Sequence, residues 1–174
     1  MSTIYIRKAV ARDIDDIMVV INEAKAMMKA EGSPQWQAGD PNEEIILSDM
    51  EKEYAYVLIV DGEIAGTACL MMEDDPSYAV IDGAWENDMD PYATIHRIAI
   101  SNKYRGQHLT DYFLSNLITV AYAKGFKNMR IDTYKLNERM QHISLKHGFE
   151  YRGMVKVNDP IDPNRLAYEL NLEK

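Results

Sequence analysis

A short basic loop is the first place in this sequence where the residue types could do chemistry. The loop runs from Ser101 to His108 and carries Lys103, Arg105 and Gly106. At the start of a helix the first backbone N–H groups have no partner inside the helix, and the helix dipole favours negative charge there. A helix start that also carries two cationic side chains therefore predicts a binding site for a phosphate group.

The elements on either side of this loop follow from the spacing of apolar residues. Ile95 to Ile100 is short, β-branched and apolar, which is typical of a strand buried on both faces. After the loop, apolar residues recur every three or four positions, as on one face of a helix: Leu109, Phe113, Leu117, Val120 and Ala121. This helix is predicted to end at Gly125. The loop thus joins a central strand to a long helix.

The rest of the chain alternates between strand and helix patterns. The predicted elements are a strand at Ile4 to Arg7, a helix from Asp13 to Gly32, a helix with Pro41 at its first position, a hairpin from Tyr56 to Met72, a strand at Met129 to Thr133, a helix from Glu138 to His147, and strands at Tyr151 to Val157 and Leu166 to Leu172. The hairpin has the clearest signal, because Asp61-Gly62 readily takes the positive φ angles of a two-residue turn. Ser33 to Asp40 and Glu73 to Tyr92 are predicted loops, the second long enough to be functional or disordered.

Length and composition narrow the class of protein. The 174 residues are about the size of one domain, and the hydrophobic fraction of 47% argues against disorder. The single cysteine, Cys69, excludes an internal disulfide framework and favours a reducing compartment. No apolar run approaches the roughly 18 residues of a membrane span, and no signal peptide is predicted. The cytoplasm is the expected location.

Charge is distributed unevenly along the chain. The net charge of −9 disfavours nonspecific binding to nucleic acid or to an anionic membrane. Glu73 to Asp90 contains seven acids and no Lys or Arg, whereas Lys127 to Lys156 contains seven Lys or Arg and three acids. Two solvated surfaces are the simplest interpretation. Taken together, the two segments would also suit an enzyme that binds a polyanionic cofactor at one end and a cationic amine at the other.

The basic loop resembles the acyl-CoA-binding segment of the GNAT superfamily of N-acyltransferases, whose pattern is Gln/Arg-x-x-Gly-x-Gly/Ala after a central strand. The corresponding window here is Arg105-Gly106-Gln107-His108-Leu109-Thr110. Arg105 matches, and Gly106 lies at a position that is commonly glycine in the family. His108 and Thr110 replace small residues, so that a side chain projects where the backbone should approach a pyrophosphate.

A second stretch, Ile131 to Gly153, resembles another conserved region of the same family, Asn-x-x-Ala-x-x-Leu-Tyr-x-x-x-Gly-Phe. Asn137 matches its Asn, Ile143 its Leu, and Gly148-Phe149 its Gly-Phe, whereas Met140 replaces Ala and Ser144 replaces Tyr. The resemblance implies a mixed α/β (α+β) GNAT-like fold for residues 1–174, as a single domain. In that fold a central mixed, mostly antiparallel sheet has splayed middle strands and is flanked by helices.

The resemblance also implies a function, which is transfer of an acetyl group from acetyl-CoA, as cosubstrate, to a primary amine by direct attack. It implies no metal. By the same resemblance, the pantetheine arm would contact the backbone of Ile98, Ala99 and Ile100 and the side chain of Asn137. The pyrophosphate would be held by Arg105, Gly106, Gln107, His108, Leu109 and Thr110. The alternatives are core packing for the strand, an ordinary exposed loop, and a simple N-cap for Asn137.

His96 is the candidate catalytic residue. It lies two positions from Ile98 and is therefore predicted to share a face with it, near the entry of the acceptor amine. An imidazole could take the proton from an ammonium, although a structural histidine in the core is the alternative. Trp36 and Tyr92, with Gln35 and Trp85, are predicted to form an aromatic wall that would suit a cationic acceptor. The alternative for Trp36 is a packing anchor.

Other classes of protein fit less well. No G-x-G-x-x-G follows the first strand, and no H-E-x-x-H or cysteine cluster indicates a metal hydrolase. The remaining competitor is a noncatalytic acyl-CoA-binding or protein-interaction module on the same fold, which the replacement of the family's tyrosine by Ser144 favours. The resemblance further implies a possible homodimer.

Overall fold

A computed structural model describes residues 1–173 of the protein, in which eight strands form one sheet. The strands are β1 (Ile4–Lys8), β2 (Ala55–Val60), β3 (Glu63–Met71), β4 (Asp82–Gly83), β5 (Tyr92–Ile100), β6 (Asn128–Thr133), β7 (Glu150–Lys156) and β8 (Asn164–Asn171). The helices are α1 (Ile14–Ala30), α2 (Glu43–Glu51), α3 (Leu109–Ala123) and α4 (Glu138–Lys146). Within this range, no helix combines the length and apolar character that a membrane span requires.

The sheet has the strand order β1-β2-β3-β5-β6-β8-β7-β4 and separates two apolar layers. On one face, α1 and α2 cover the strands through Ile17, Ile21 and Ile46. On the other face, α3 packs Phe113 and Leu117 into the larger cluster, which α4 also joins. Because β2 is buried along its whole length, it shows no alternation of apolar and polar residues.

The two-residue hairpin turn is confirmed. Asp61 and Gly62 have φ angles of 49° and 85°, and Val60 pairs with Glu63 across the turn. Two adjacent residues with positive φ match the right-handed twist of the strands that they join.

The splay of the middle strands is also confirmed. β5 and β6 run parallel and pair only where Tyr92, Ala93 and Thr94 lie opposite residues 128–130. Every other strand pair in the described part of the chain is antiparallel. From Ile95 onward, β5 keeps its pairing with β3 but has no partner on its β6 side. The sheet is therefore open at its centre, next to the loop that begins α3.

A β-bulge in β5 overturns the prediction that His96 and Ile98 share a face. Thr67 of β3 pairs with Ala99 and Cys69 pairs with His96, so a step of two on β3 spans three residues of β5. His96 and Ala99 therefore share the face covered by α1, whereas Ile98 packs into the α3 layer. Arg97, within the bulge, has a φ of 52°.

Two further boundaries differ from the sequence prediction. Pro41 precedes α2 instead of opening it, because the Asn42 side chain caps the helix by accepting a hydrogen bond from the Ile45 N–H at 2.9 Å. The predicted loop Glu73 to Tyr92 contains the short strand β4, which pairs with β7. At that crossing Gly83 lies against Gly153, where a Cβ on either residue would meet a carbonyl oxygen at 2.1 Å. The acidic segment is thereby fixed to the edge of the sheet.

Candidate active site

A cleft of about 700 Å³ opens where β5 and β6 part. Its floor contains residues 95–98 of β5 and residues 131–133 of β6. Its walls come from the loop before α2, from α2 itself, from the acidic segment at Glu73, Asp75 and Ser77, and from the β7–β8 turn. The chain thus brings its acidic segment and the parted strands to one concave surface, which is the usual form of a ligand site.

His96 lies at the floor of this cleft between two carboxylates. Its Nε2 is 2.7 Å from Oδ2 of Asp75, and its Nδ1 is 3.9 Å from Oδ2 of Asp132. The Tyr78 hydroxyl donates to the same Asp132 oxygen at 2.5 Å. The side chains of His96, Asp75 and Asp132 are 17%, 13% and 9% exposed, so all three lie mostly out of water.

Asp75 is held in place by the turn that it begins. Its Oδ1 accepts the Ser77 N–H at 2.8 Å, and its own N–H donates to the Tyr92 hydroxyl at 2.8 Å. Burial acts to raise the pKa of Asp75, but the hydrogen bonds from His96 and Ser77 outweigh it and leave the pKa below its usual value. Burial beside Asp132 raises the pKa of Tyr78 well above its ordinary value, so this hydroxyl remains a donor.

The other carboxylates that line the cleft are mostly paired. Asp49 binds Arg97 at 2.7 Å, Glu73 binds Lys52 at 3.0 Å, and Asp159 binds Arg165 at 2.7 Å. Among residues 1–173, no Lys or Arg pairs with Asp75 or Asp132, and the His96 imidazole lies between these two carboxylates. The floor therefore carries more negative than positive charge, and such an imbalance in a sheltered site favours a cation.

The basic loop presents its backbone at the start of α3. Gly106 and His108 have φ angles of 78° and 57°. His108 therefore takes a left-handed conformation that histidine tolerates better than most residues, which explains how it can replace a small residue here. Within residues 1–173, no protein acceptor pairs with the N–H groups of residues 106–110. The Lys103 ammonium pairs with Glu63, whereas Arg105 has no ion pair in the described part of the chain.

Comparison with known proteins identifies the family. The model of the Acetyltransferase (GNAT) family matches residues 21–149. The chain belongs to this family. A GNAT-family acetyltransferase structure from Streptococcus agalactiae is 40% identical, with 98% of this chain and 96% of that chain covered and a TM-score of 0.88.

Two more distant structures share the GNAT fold. An acetyltransferase structure from Listeria monocytogenes is 20% identical over 97% of this chain and 95% of that chain, with a TM-score of 0.76. The yncA protein of Salmonella typhimurium, solved with its cofactor acetyl-CoA, is 17% identical over 99% and 95% of the two chains, with a TM-score of 0.71. No curated protein matches the sequence.

The start of the second GNAT-like region lies at the edge of the cleft. Asn137 is the N-cap of α4, where its Oδ1 accepts the Met140 N–H at 3.2 Å, and both residues line the cleft. The cap accounts for the asparagine oxygen, and no acceptor in residues 1–173 pairs with its amide N–H groups. Ser144 is fully buried, and its hydroxyl donates to the Met140 carbonyl at 2.7 Å. Ser144 therefore bonds within its own helix, and it is not among the residues that line the cleft.

The predicted aromatic wall is only partly assembled. Trp36 and Gln35 line the cleft, and Trp36 also packs against the cores beneath α1. Tyr92 and Trp85 do not line the cleft, which corrects their prediction as parts of one wall. Instead they lie on either side of the Arg130 guanidinium, 3.7 Å and 3.9 Å from their ring centroids. Tyr92 contributes indirectly, through its hydrogen bonds to the backbone of Asp75.

Sequence reasoning missed Asp75, Asp132 and Tyr78 as parts of the site. Asp132 could have been identified from the sequence, because a carboxylate in a strand that is predicted to be buried is unusual and indicates a specific role. Asp75 is one of seven acids in its segment, and no local pattern distinguishes it from its neighbours. Tyr78 is one of 11 tyrosines, and only the tertiary structure brings it to Asp132.

Proposed function

We propose that this protein is an N-acetyltransferase that transfers the acetyl group of acetyl-CoA to a primary amine of a small molecule or peptide, with a positively charged acceptor preferred. The observation that carries the proposal is the placement of His96 between Asp75 and Asp132, at the floor of a cleft that opens between parted strands. A carboxylate-rich floor attracts an ammonium, and an imidazole can remove its proton.

The residues around the opening suit acetyl-CoA. The amides of residues 106–110 and the Arg105 guanidinium, which have no partner among the described residues, would hold the pyrophosphate. The open edge of residues 98–100 would hydrogen-bond the pantetheine arm together with Asn137. When bound, acetyl-CoA supplies the acetyl group as a thioester.

Apart from acetyl-CoA and the acceptor amine, the proposed step uses only residues of this chain. His96 takes a proton from the acceptor ammonium, and the freed nitrogen lone pair forms a bond to the acetyl carbon. The carbon–sulfur bond then breaks, and its electron pair leaves on sulfur. The second proton of the attacking nitrogen passes to the departing thiolate or to water, which leaves a neutral amide. A thiol has a pKa of about 8.5, so a thiolate is a tolerable leaving group near neutrality even though Ser144 replaces the family's tyrosine.

The proposal is tested by calorimetry with acetyl-CoA, followed by detection of free thiol against a panel of acceptors. The panel contains linear diamines, aminoglycosides, peptides with free N-termini, and uncharged and anionic amines. We expect binding, with thiol released faster by cationic acceptors than by the others. Tight binding without release above background would favour the noncatalytic module, and an absence of binding would exclude both functions.

Arg105→Ala tests the phosphate site. We expect the dissociation constant for acetyl-CoA to rise about tenfold, which corresponds to about 1.4 kcal/mol, because a charged hydrogen bond to phosphate is lost. The loss should be larger at low salt, since screening is weaker there. The measurement is calorimetric titration at two ionic strengths.

Lys103→Ala is the matched control for this prediction. It removes the same charge two residues away, but the Lys103 ammonium is already paired with Glu63. We expect the control to change the affinity by less than about twofold, because an exposed pair contributes little. Equal losses in the two variants would show that only the general charge of the loop matters, and not a contact made by Arg105.

A further inference from the structure

The two carboxylates beside His96 are bound in different ways. Asp75 has both oxygens occupied, one by His96 Nε2 at 2.7 Å and the other by the Ser77 N–H at 2.8 Å. Asp132 receives a single donor, the Tyr78 hydroxyl, on Oδ2. In the described part of the chain no donor reaches its Oδ1. Each oxygen of Asp75 therefore already has a donor, whereas one oxygen of Asp132 has none in the described part of the chain.

The contact with Asp75 determines which imidazole nitrogen is free. An ionised carboxylate only accepts hydrogen bonds, so Nε2 of His96 must carry the hydrogen, and the lone pair of the neutral ring lies on Nδ1. Nδ1 is 3.9 Å from Oδ2 of Asp132, which is too far for a direct hydrogen bond. The nitrogen of a bound ammonium could lie about 2.8–2.9 Å from both His96 Nδ1 and Asp132 Oδ2 and so bridge these two atoms.

We propose that Asp132 is the carboxylate that binds the ammonium of the acceptor, while Asp75 is a positioning residue that holds His96 with its Nδ1 lone pair facing that ammonium. This inference rests on the proposed acetyltransferase function and assigns a separate role to each carboxylate. The acceptor enters as an ammonium that donates to Asp132 and to Nδ1. Its proton moves to Nδ1, the imidazolium is stabilised by Asp75, and the neutral amine keeps the lone pair that attacks.

The groups that face His96 from other elements support this assignment. The acidic segment places Asp75 and Tyr78 beside the imidazole, and β6 places Asp132 there. The ring centroid of Tyr78 is 6.1 Å from that of His96. On β3, Cys69 is the register partner of His96, and burial raises the pKa of its thiol to about 12, so it stays uncharged. Arg97, the next residue on β5, is bound by Asp49. Among the described residues, the imidazole thus has two carboxylate neighbours and no unpaired cation.

The role of Asp75 is tested by nitrogen-15 NMR of the imidazole, which requires no turnover. In the wild-type protein we expect the neutral His96 ring to carry its hydrogen on Nε2. Asp75→Asn should shift the population towards the Nδ1–H form, because an amide can donate to Nε2. Asp74→Asn is the matched control, since it removes the adjacent, exposed carboxylate, and it should change nothing. A wild-type ring protonated on Nδ1, or an unchanged tautomer in Asp75→Asn, would overturn the assignment.

The role of Asp132 is tested in the same spectra by titration with propylammonium chloride, with sodium chloride at equal ionic strength as reference. We expect propylammonium to shift the Nδ1 resonance in wild type and in Asp74→Asn, and to have little effect in Asp132→Asn, which keeps an acceptor for Tyr78. If Asp132→Asn responds like wild type, or if wild type itself gives no shift, the inference fails. If no amine is acetylated, the proposed function fails, but this binding result still decides the inference.

Turnover gives a second readout for Asp132. With the best cationic acceptor, Asp132→Asn should raise the KM of the amine at least about tenfold and leave the KM of acetyl-CoA unchanged, because ground-state binding of one substrate is lost. Asp75→Asn should instead lower kcat, since its effect is on the orientation of the base. Equal changes in both variants would contradict the division of roles between the two carboxylates.

Discussion

Replacing His96 with Ala is expected to lower kcat/KM for the amine by about 10²–10⁴-fold, the range measured for loss of a general base. The wild-type rate should fall on the acidic side of the pH profile, because only the neutral imidazole accepts a proton. In His96→Ala the limb set by the imidazole should be lost, and the rate should instead keep rising with pH up to the pKa of the acceptor amine, because it follows the fraction of amine that is unprotonated in solution. The affinity for acetyl-CoA should stay within about twofold of wild type, since the base acts in proton transfer and not in cofactor binding.

The control for this experiment is His142→Ala, which removes an exposed imidazole from α4, outside the cleft. His96→Gln is a useful second variant, because its amide can still donate to Asp75 but cannot act as a base. Both His96 variants should be slow, whereas His142→Ala should keep the wild-type rate and profile. A His96→Gln protein with an unaltered pH profile would assign His96 a structural role, the alternative that its sequence left open.

The parts of the fold that could be predicted from sequence depend on local signals. The spacing of apolar residues fixed the order of strands and helices, and Asp61-Gly62 identified the hairpin because its turn chemistry is local. The GNAT family could be recognised from two imperfect segments, since both the loop before α3 and the start of α4 depend on short stretches of backbone. β4 could not be predicted, because its two residues pair only through the close approach of Gly83 and Gly153.

The site was less predictable because its residues come together only in three dimensions. His96 was identified as a candidate, but the face to which it points depends on a bulge that leaves no clear pattern in the sequence. The distribution of charge along the chain was also a poor guide to the surface. Arg152 of the basic segment pairs with the buried Glu169, and Lys146 pairs with Asp111. Both cations already have a carboxylate partner within the fold, which makes them less available to a polyanion.

The bulge in β5 brings Arg97 into contact with α2. Arg97 has a positive φ of 52°, and its guanidinium makes two hydrogen bonds to Asp49 of α2, at 2.7 and 2.9 Å. Arg97→Ala should lower the free energy of unfolding by about 3 kcal/mol, the low end of the range for breaking a buried pair, since both side chains keep some exposure. The measurement is denaturant unfolding at neutral pH, where Asp49 is left buried without its partner.

Arg97→Gly separates the ion pair from the backbone conformation. It loses the same contacts to Asp49, but glycine adopts a positive φ without the penalty of about 1–2 kcal/mol that other residues incur. We therefore expect Arg97→Gly to be more stable than Arg97→Ala by about 1 kcal/mol. Because glycine also keeps the bulge that orients the open edge of β5, it should retain more of the wild-type kcat than alanine does. Equal stability of the two variants would mean that β5 loses its bulge once the ion pair is removed. The pair between Arg97 and Asp49 would then be what holds the strand in this conformation at the cleft floor.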